Sequence, residues 1–282
     1  MPAFLDQIVA ATRRRVAAVK PSADLRELER RAAKHAPRGF RRTLLEKARV
    51  SVAVIAELKK ASPSKGLIRE KFDSAMLARE LEDAGAAALS VLTDEEFFQG
   101  SLRNLGEASA ATKLPCLRKD FIIDEFQLLE ARACSADAVL LIAAALEQKA
   151  LVSLTSAARA RGLDVLCEVH DETELKRALD TGCDLIGVNT RDLRTFQVSL
   201  ETAFRLAEMF PRNVVRVAES GIRSAEDITG LRTAGYQAFL IGESLMRAER
   251  PGDILRTLLQ NQENYASNRK VAVPNRELTT ED

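Results

Sequence analysis

The chain has 282 residues, enough for one large domain or two small ones, and 46% of them are hydrophobic, so a sizeable core can be buried. A formal net charge of +1 argues against a dedicated nucleic-acid binder or a membrane-surface protein, and no apolar run reaches the length of a membrane span. Cys116, Cys134, Cys167 and Cys183 lie far apart without a CxxC spacing, which reads as buried thiols in a reducing cytosol, and the first residues lack a signal-peptide pattern.

Residues 1–48 read as a helical extension. Phe4, Ile8, Val9 and Ala11 to Val16 make one apolar stripe, Arg13, Arg14 and Arg15 a solvated face of the same helix, and Leu25, Leu28 and Ala32 begin a second stripe. Pro21 and Pro37-Arg38-Gly39 punctuate the segment. The stretch Val52 to Gly66, VAVIAELKKASPSKG, then opens as a strand. Val52, Val54, Ala56 and Leu58 point to one side, and Ala53, Ile55, Glu57 and Lys59 to the other. A strand apolar on both faces is covered on both, as in a parallel sheet. Its two terminal charges open onto either a ligand site or solvent.

A regular alternation follows. Helical patterns over 74–84, 102–112, 124–134, 147–161, 171–181, 199–209, 224–234 and 253–260 are interleaved with strands. These are Ala87–Leu92, one opening at Pro115–Leu117, Asp137–Ile142, Asp164–Val169, Leu185–Val188, Val214–Ala218 and Ala238–Ile241. Eight strands, each followed by a helix, over residues 49–262 predict an α/β fold: a (β/α)8 TIM barrel behind the helical extension. An open doubly wound sheet is the runner-up, but its Gly-rich first turn is missing; neither GxGxxG nor GxxxxGK occurs. Residues 263–282 read as a polar, frayed tail.

In such a barrel, chemistry sits at the C-terminal strand ends. The first strand ends in Glu57 and Lys59, with Ser62, Pro63 and Ser64 in its loop. The third runs into LRKDF, with Leu117, Lys119 and Phe121 on one face. The fifth ends in CEVH with Glu168 and His170 in phase, the sixth in VNTR with Asn189 and Arg191, and the seventh in Glu219. The mouth then gathers Glu57, Glu168 and Glu219 against Lys59, Lys119 and Arg191. So many half-buried charges are costly unless paired or bound to a ligand. Ser220-Gly221 and Gly242-Glu243-Ser244, after the last two strands, are turns where this fold binds phosphate with backbone N–H groups. Only two histidines, His35 and His170, are available, so a multi-histidine metal site is excluded. Phe98 and Phe121 can wall an aromatic ring or belong to the core.

AELKKASPSKG closely resembles the first-strand motif of the indole-3-glycerol phosphate synthases of tryptophan biosynthesis. TDEEFFQGS, LPCLRKDFIID, EVH, GVNTRDL, AESGI and AFLIGESLM resemble that family's later motifs in the same order. The resemblance implies a carboxy-lyase that closes the ring of 1-(2-carboxyphenylamino)-1-deoxyribulose 5-phosphate, with loss of carbon dioxide and water, and that uses neither metal nor cofactor. It makes Lys119 a general acid and Glu168 a general base or cation stabiliser. Glu57 and Lys59 complete the acid–base and phosphate-end apparatus, and Asn189 and Arg191 hold the substrate's carboxylate and hydroxyls. Ser62 and the turns after the last two strands serve binding. Cys116 departs from the aliphatic residue expected there. A Schiff-base phosphosugar aldolase, a phosphoribosylanthranilate isomerase-like barrel and a phosphometabolite sensor are the rival readings. The expected partner is a small phosphorylated molecule, met by a cytoplasmic monomer or weak homo-oligomer, with no nucleic acid and no membrane.

Overall fold

A computed structural model describes residues 4–192 and 196–260. Eight parallel strands close into a barrel in sequence order: β1 (Ala53–Leu58), β2 (Ala88–Leu92), β3 (Cys116–Lys119), β4 (Ala138–Ile142), β5 (Asp164–Val169), β6 (Leu185–Asn189), β7 (Val215–Glu219) and β8 (Ala238–Ile241). The ring shuts where β1 pairs with β8, Ala53 opposite Ala238. Three helices precede it: α1 (Phe4–Val19), α2 (Leu25–Ala32) and α3 (Phe40–Val50). Around it stand α4 (Ser74–Asp83), α5 (Leu102–Ala111), α6 (Glu125–Ala133), α7 (Gln148–Ala160), α8 (Glu172–Asp180), α9 (Glu201–Ala207) and α10 (Ala225–Thr233). A short α11 (Glu243–Arg247) and a last helix over 251–260, α12, follow β8. The expected tail over 263–282 lies outside the described residues.

The alternation along β1 explains the layering. Val52, Val54, Ala56 and Leu58 belong to the cluster that packs strands against helices, whereas Ala53 and Ile55 join the barrel interior with Leu117, Leu140, Leu166 and Val217. Phe40 and Leu44 of α3 are fully buried in that interior cluster, so α3 closes the barrel at the end where the strands begin. Truncating Leu44 to Ala would cost about 2–5 kcal/mol. Phe4, Leu5 and Ile8 of α1 line the opposite opening, and α2 packs along α6 between the two. The extension therefore runs from mouth to floor.

Two expectations for that extension are corrected. Arg13 and Arg14 are exposed, but Arg15 turns inward, its NH1 3.3 Å from Asp94 Oδ2 and its NH2 3.1 Å from Asp120 Oδ1. Two buried carboxylates recruit it out of the solvated face. The second stripe is only partly covered: Leu28 and Ala32 are half-buried where α2 packs on α6, and Leu25 is half exposed. Side-on packing against a single helix leaves the far face of α2 in solvent. Two small elements went unpredicted. Ala61–Ser62 pairs antiparallel with Gly66–Leu67 as a hairpin over the mouth, and α11 occupies the stretch read as a turn.

Candidate active site

The catalytic, substrate-binding and phosphate-binding candidates all line one cavity of about 560 Å³ at the C-terminal ends of the strands, whereas His170 stands behind it. Parallel strands all deliver their ends to that rim, so residues far apart in sequence converge there.

Lys119, at the end of β3, is the centre of the charge cluster. Its Nζ donates to Glu168 Oε2 at 2.8 Å and lies 3.6 Å from Glu219 Oε2. Burial works against its charge, but Glu168, Glu219 and Glu57 outweigh it and hold the ammonium above its ordinary value. Burial also opposes the charge on Glu168; Lys119 and then His170 overcome it and pull the carboxyl well below the usual carboxylate range. Glu168 Oε1 accepts from Asn189 Nδ2 at 3.2 Å, and Asn189 Oδ1 accepts from the Arg191 N–H at 3.1 Å. The Arg191 guanidinium lies 3.7 Å from Glu243 Oε2.

Glu219 goes the other way. Burial pushes its carboxyl up to about 8; Lys119 pulls against this, while the Glu168 and Glu57 charges push with it. Its Oε1 is buried without a hydrogen-bond partner among the described residues. A Cβ on Gly187 would collide with that oxygen, so the glycine in β6 is what lets Glu219 fit. On the β1 side, Lys59 Nζ donates to Glu57 Oε1 at 2.5 Å. The space left by the missing Cβ of Gly242 is filled by the Glu57 side chain. The mouth thus holds two lysine–glutamate pairs and a third carboxyl prone to keep its proton.

Phe98 and Phe121 stand 6.2 Å apart, centroid to centroid, on the wall. Ser220 and Gly221 take consecutive left-handed conformations, φ 67° and 74°, a strained choice for the serine. Ser244 Oγ is buried and unpartnered among the described residues. The strand-end rule misses Phe4, Leu5 and Ile8, which reach the cavity from α1, and Lys65, Arg223 and Arg247, which add cations to its wall. The apolar stripe of α1 is visible in the sequence, but nothing local says which end of the barrel it covers.

A description of the indole-3-glycerol phosphate synthase family matches residues 5–258. The chain belongs to that family. It is 62% identical over 259 residues to the indole-3-glycerol phosphate synthase of Koribacter versatilis, covering 92% of this chain and 100% of that protein. It is 50% identical over 256 residues to the one from Burkholderia ambifaria, covering 90% and 98%. Among solved structures, 3-hexulose-6-phosphate synthase superposes with a TM-score of 0.58 at 14% identity, over 74% of this chain and all of that one, which is a likeness of barrel alone. For an indole-3-glycerol phosphate synthase family member, the seven ordered motifs and the convergence of their polar residues on one cavity are the same fact seen in sequence and in space.

Proposed function

We propose that this carboxy-lyase converts 1-(2-carboxyphenylamino)-1-deoxyribulose 5-phosphate to indole-3-glycerol phosphate, carbon dioxide and water, with Lys119 as the general acid of ring closure. Membership of the family gives the overall reaction; the placement of Lys119 carries the assignment of roles. An aromatic ring carbon must attack the substrate's ketone, and the oxygen that gains charge needs a donor at hand. Lys119 is an ammonium part-buried in the mouth, held at 2.8 Å by Glu168. Carbon dioxide leaves as the ring recovers its aromaticity. The hydroxyl then departs as water, which calls for an acid again and for a base to take the ring proton.

Glu168 suits the second half: as a carboxylate it stabilises the iminium charge left after condensation and can accept the released proton. The separate Lys59–Glu57 pair supplies another acid and base nearer β1. Phe98 and Phe121 sandwich or flank the aromatic ring, and Asn189 and Arg191 hold the carboxylate and hydroxyls. Glu219 and Ser62 line the sugar's path. The phosphate rests on Ser220, Gly221, Gly242, Glu243 and Ser244, where the unpartnered Ser244 hydroxyl and the cations Arg223 and Arg247 favour an anion. A Schiff-base aldolase would need a lysine free to become a neutral nucleophile, whereas Lys119 is held charged by its carboxylates.

The test is indole fluorescence on mixing with the carboxyphenylamino substrate. Wild-type protein should generate the signal with release of carbon dioxide, and Lys119→Met should lose roughly 100- to 10,000-fold in turnover. A variant that keeps more than a tenth of the rate constant would remove Lys119 from this role.

A further inference from the structure

His170 follows β5 and is used by none of the roles above, yet it stands between two carboxylates behind the mouth. Its Nδ1 lies 3.0 Å from Glu174 Oε2, and its Nε2 lies 3.4 Å from Glu168 Oε1 on the opposite side of the ring. The same Glu174 oxygen accepts the His170 backbone N–H at 2.8 Å. Glu174 is itself pinned in the first turn of α8, where its N–H donates to the cap residue Asp171 at 2.8 Å. Imidazole and carboxylates are all mostly buried.

A neutral imidazole has one N–H and one lone pair. Nδ1 is hydrogen-bonded to Glu174, whereas Nε2 makes no hydrogen bond among the described residues and meets Glu168 Oε1 only as a charge at 3.4 Å. A neutral ring would leave Glu168 without that positive neighbour; the imidazolium faces both carboxylates with opposite charge. We propose that His170 is a positioning residue: clamped by Glu174, its cation holds the Glu168 carboxylate ionised and aimed at Lys119 and Asn189. Glu174 fixes the ring plane, and through it the carboxylate two residues upstream. This rests on Glu168 acting in the reaction.

The surroundings agree. The charged groups facing His170 are Glu168 on its own strand and Glu174 on α8; beyond Glu168 stand Lys119 on β3 and Glu219 on β7. Asn189 on β6 is neutral and shares the Glu168 oxygen that faces the ring. Burial works against the cation, but hydrogen bonds and charge from Glu168 and Glu174 raise the imidazole to about 10. His170 therefore keeps its charge throughout the neutral range, acting as a fixed counter-ion and not as a pH switch. His170 supplies a positive charge to Glu168 from behind the mouth, on the side away from Lys119.

The experiment is a pH profile of kcat and kcat/KM for His170→Gln, His170→Ala and Glu174→Gln in the full chain. Gln keeps a polar amide beside Glu168 but carries no charge. Both His170 variants should lose about 10- to 100-fold in kcat with little change in KM, the scale expected of a misaligned reacting group. Without the cation, the acid limb of kcat/KM should move up by about one unit, because Glu168 loses one of the two charges that hold it low. Glu174→Gln leaves the ring in place, so it serves if the His170 variants do not fold. It should add an alkaline limb below the wild-type one, as an imidazole without its anionic partner loses its proton sooner. Folded variants with wild-type kcat and unmoved limbs would overturn the proposal, as would full activity in Glu174→Gln at every pH. Glu168→Gln measured alongside separates the two readings: if it too keeps wild-type turnover, the role of Glu168 has failed, and if only the His170 and Glu174 variants do, the clamp has.

Discussion

The two ends of the barrel both bury charge, and they do so in opposite ways. At the floor, Asp137 precedes β4 and is fully buried. It accepts from the Cys116 N–H at 2.7 Å, the Arg38 N–H at 2.7 Å, the Arg38 guanidinium at 2.9 and 2.6 Å, and His35 Nε2 at 2.9 Å. Nothing on that carboxylate is left over. At the mouth, Glu219 Oε1 and Ser244 Oγ are buried with no hydrogen-bond partner among the described residues, and Glu219 sits beside two other carboxyls. A saturated carboxylate ties the extension to the sheet; an unsaturated one in the mouth leaves an acceptor for a ligand to meet. Burial and charge alone do not mark a functional site. The marker is unmet hydrogen-bonding capacity facing a cavity.

Asp137→Ala would leave the Arg38 guanidinium and His35 without their anion and strip a hydrogen bond from β3. Breaking a buried pair on one side costs about 3–5 kcal/mol. Thermal or denaturant unfolding should register that loss, while kcat of the folded enzyme at low temperature stays close to wild type. A normal unfolding midpoint would mean the floor network is dispensable.

The mouth should respond in the other currency. Gly242→Ala puts a Cβ where the Glu57 side chain lies, and the carboxylate must leave Lys59 to make room. A shift of that kind should lower kcat by about 10- to 100-fold, with a much smaller change in stability. Steady-state kinetics with intact indole product detection checks this; unchanged kcat would show that Glu57 is not held to a catalytic geometry.

His170 has a raised folded value of about 10, so its stabilising contribution is complete below the unfolded value of about 6.5 and is lost as pH rises through 10. The difference in unfolding midpoint between wild type and His170→Gln should be widest near pH 6 and close toward pH 10. A difference independent of pH would mean that packing, not charge, holds the ring.

Most of this was legible in the sequence where the signal is local. The strands announce themselves as apolar runs, and Glu57, Lys119, Glu168, Asn189 and Glu219 follow from strand-end phase alone. What stayed hidden depends on partners far along the chain. Asp137 looks like the first residue of a strand, and nothing near it points to Arg38 and His35, which lie in the extension. Arg15 looks solvated beside Arg13 and Arg14 until Asp94 and Asp120 are placed beneath it. Phe4, Leu5 and Ile8 show an apolar face without showing that it roofs the mouth. The hairpin at 61–67 and the five-residue α11 are too short for periodicity to register.

Glu219 separates mouth from floor most sharply, since its carboxyl is buried against the charge of its neighbours. Measuring the thermal midpoint and kcat of Glu219→Gln at neutral pH tests it in one pair of numbers. The carboxyl is already largely protonated at neutral pH, so the neutral Gln replaces it without a change of charge and the midpoint should stay level, while kcat falls at least about tenfold with the loss of an ionisable carboxyl beside Lys119. A variant that unfolds at markedly lower temperature yet turns over at the wild-type rate would make the mouth a structural network like the floor, and would contradict the account.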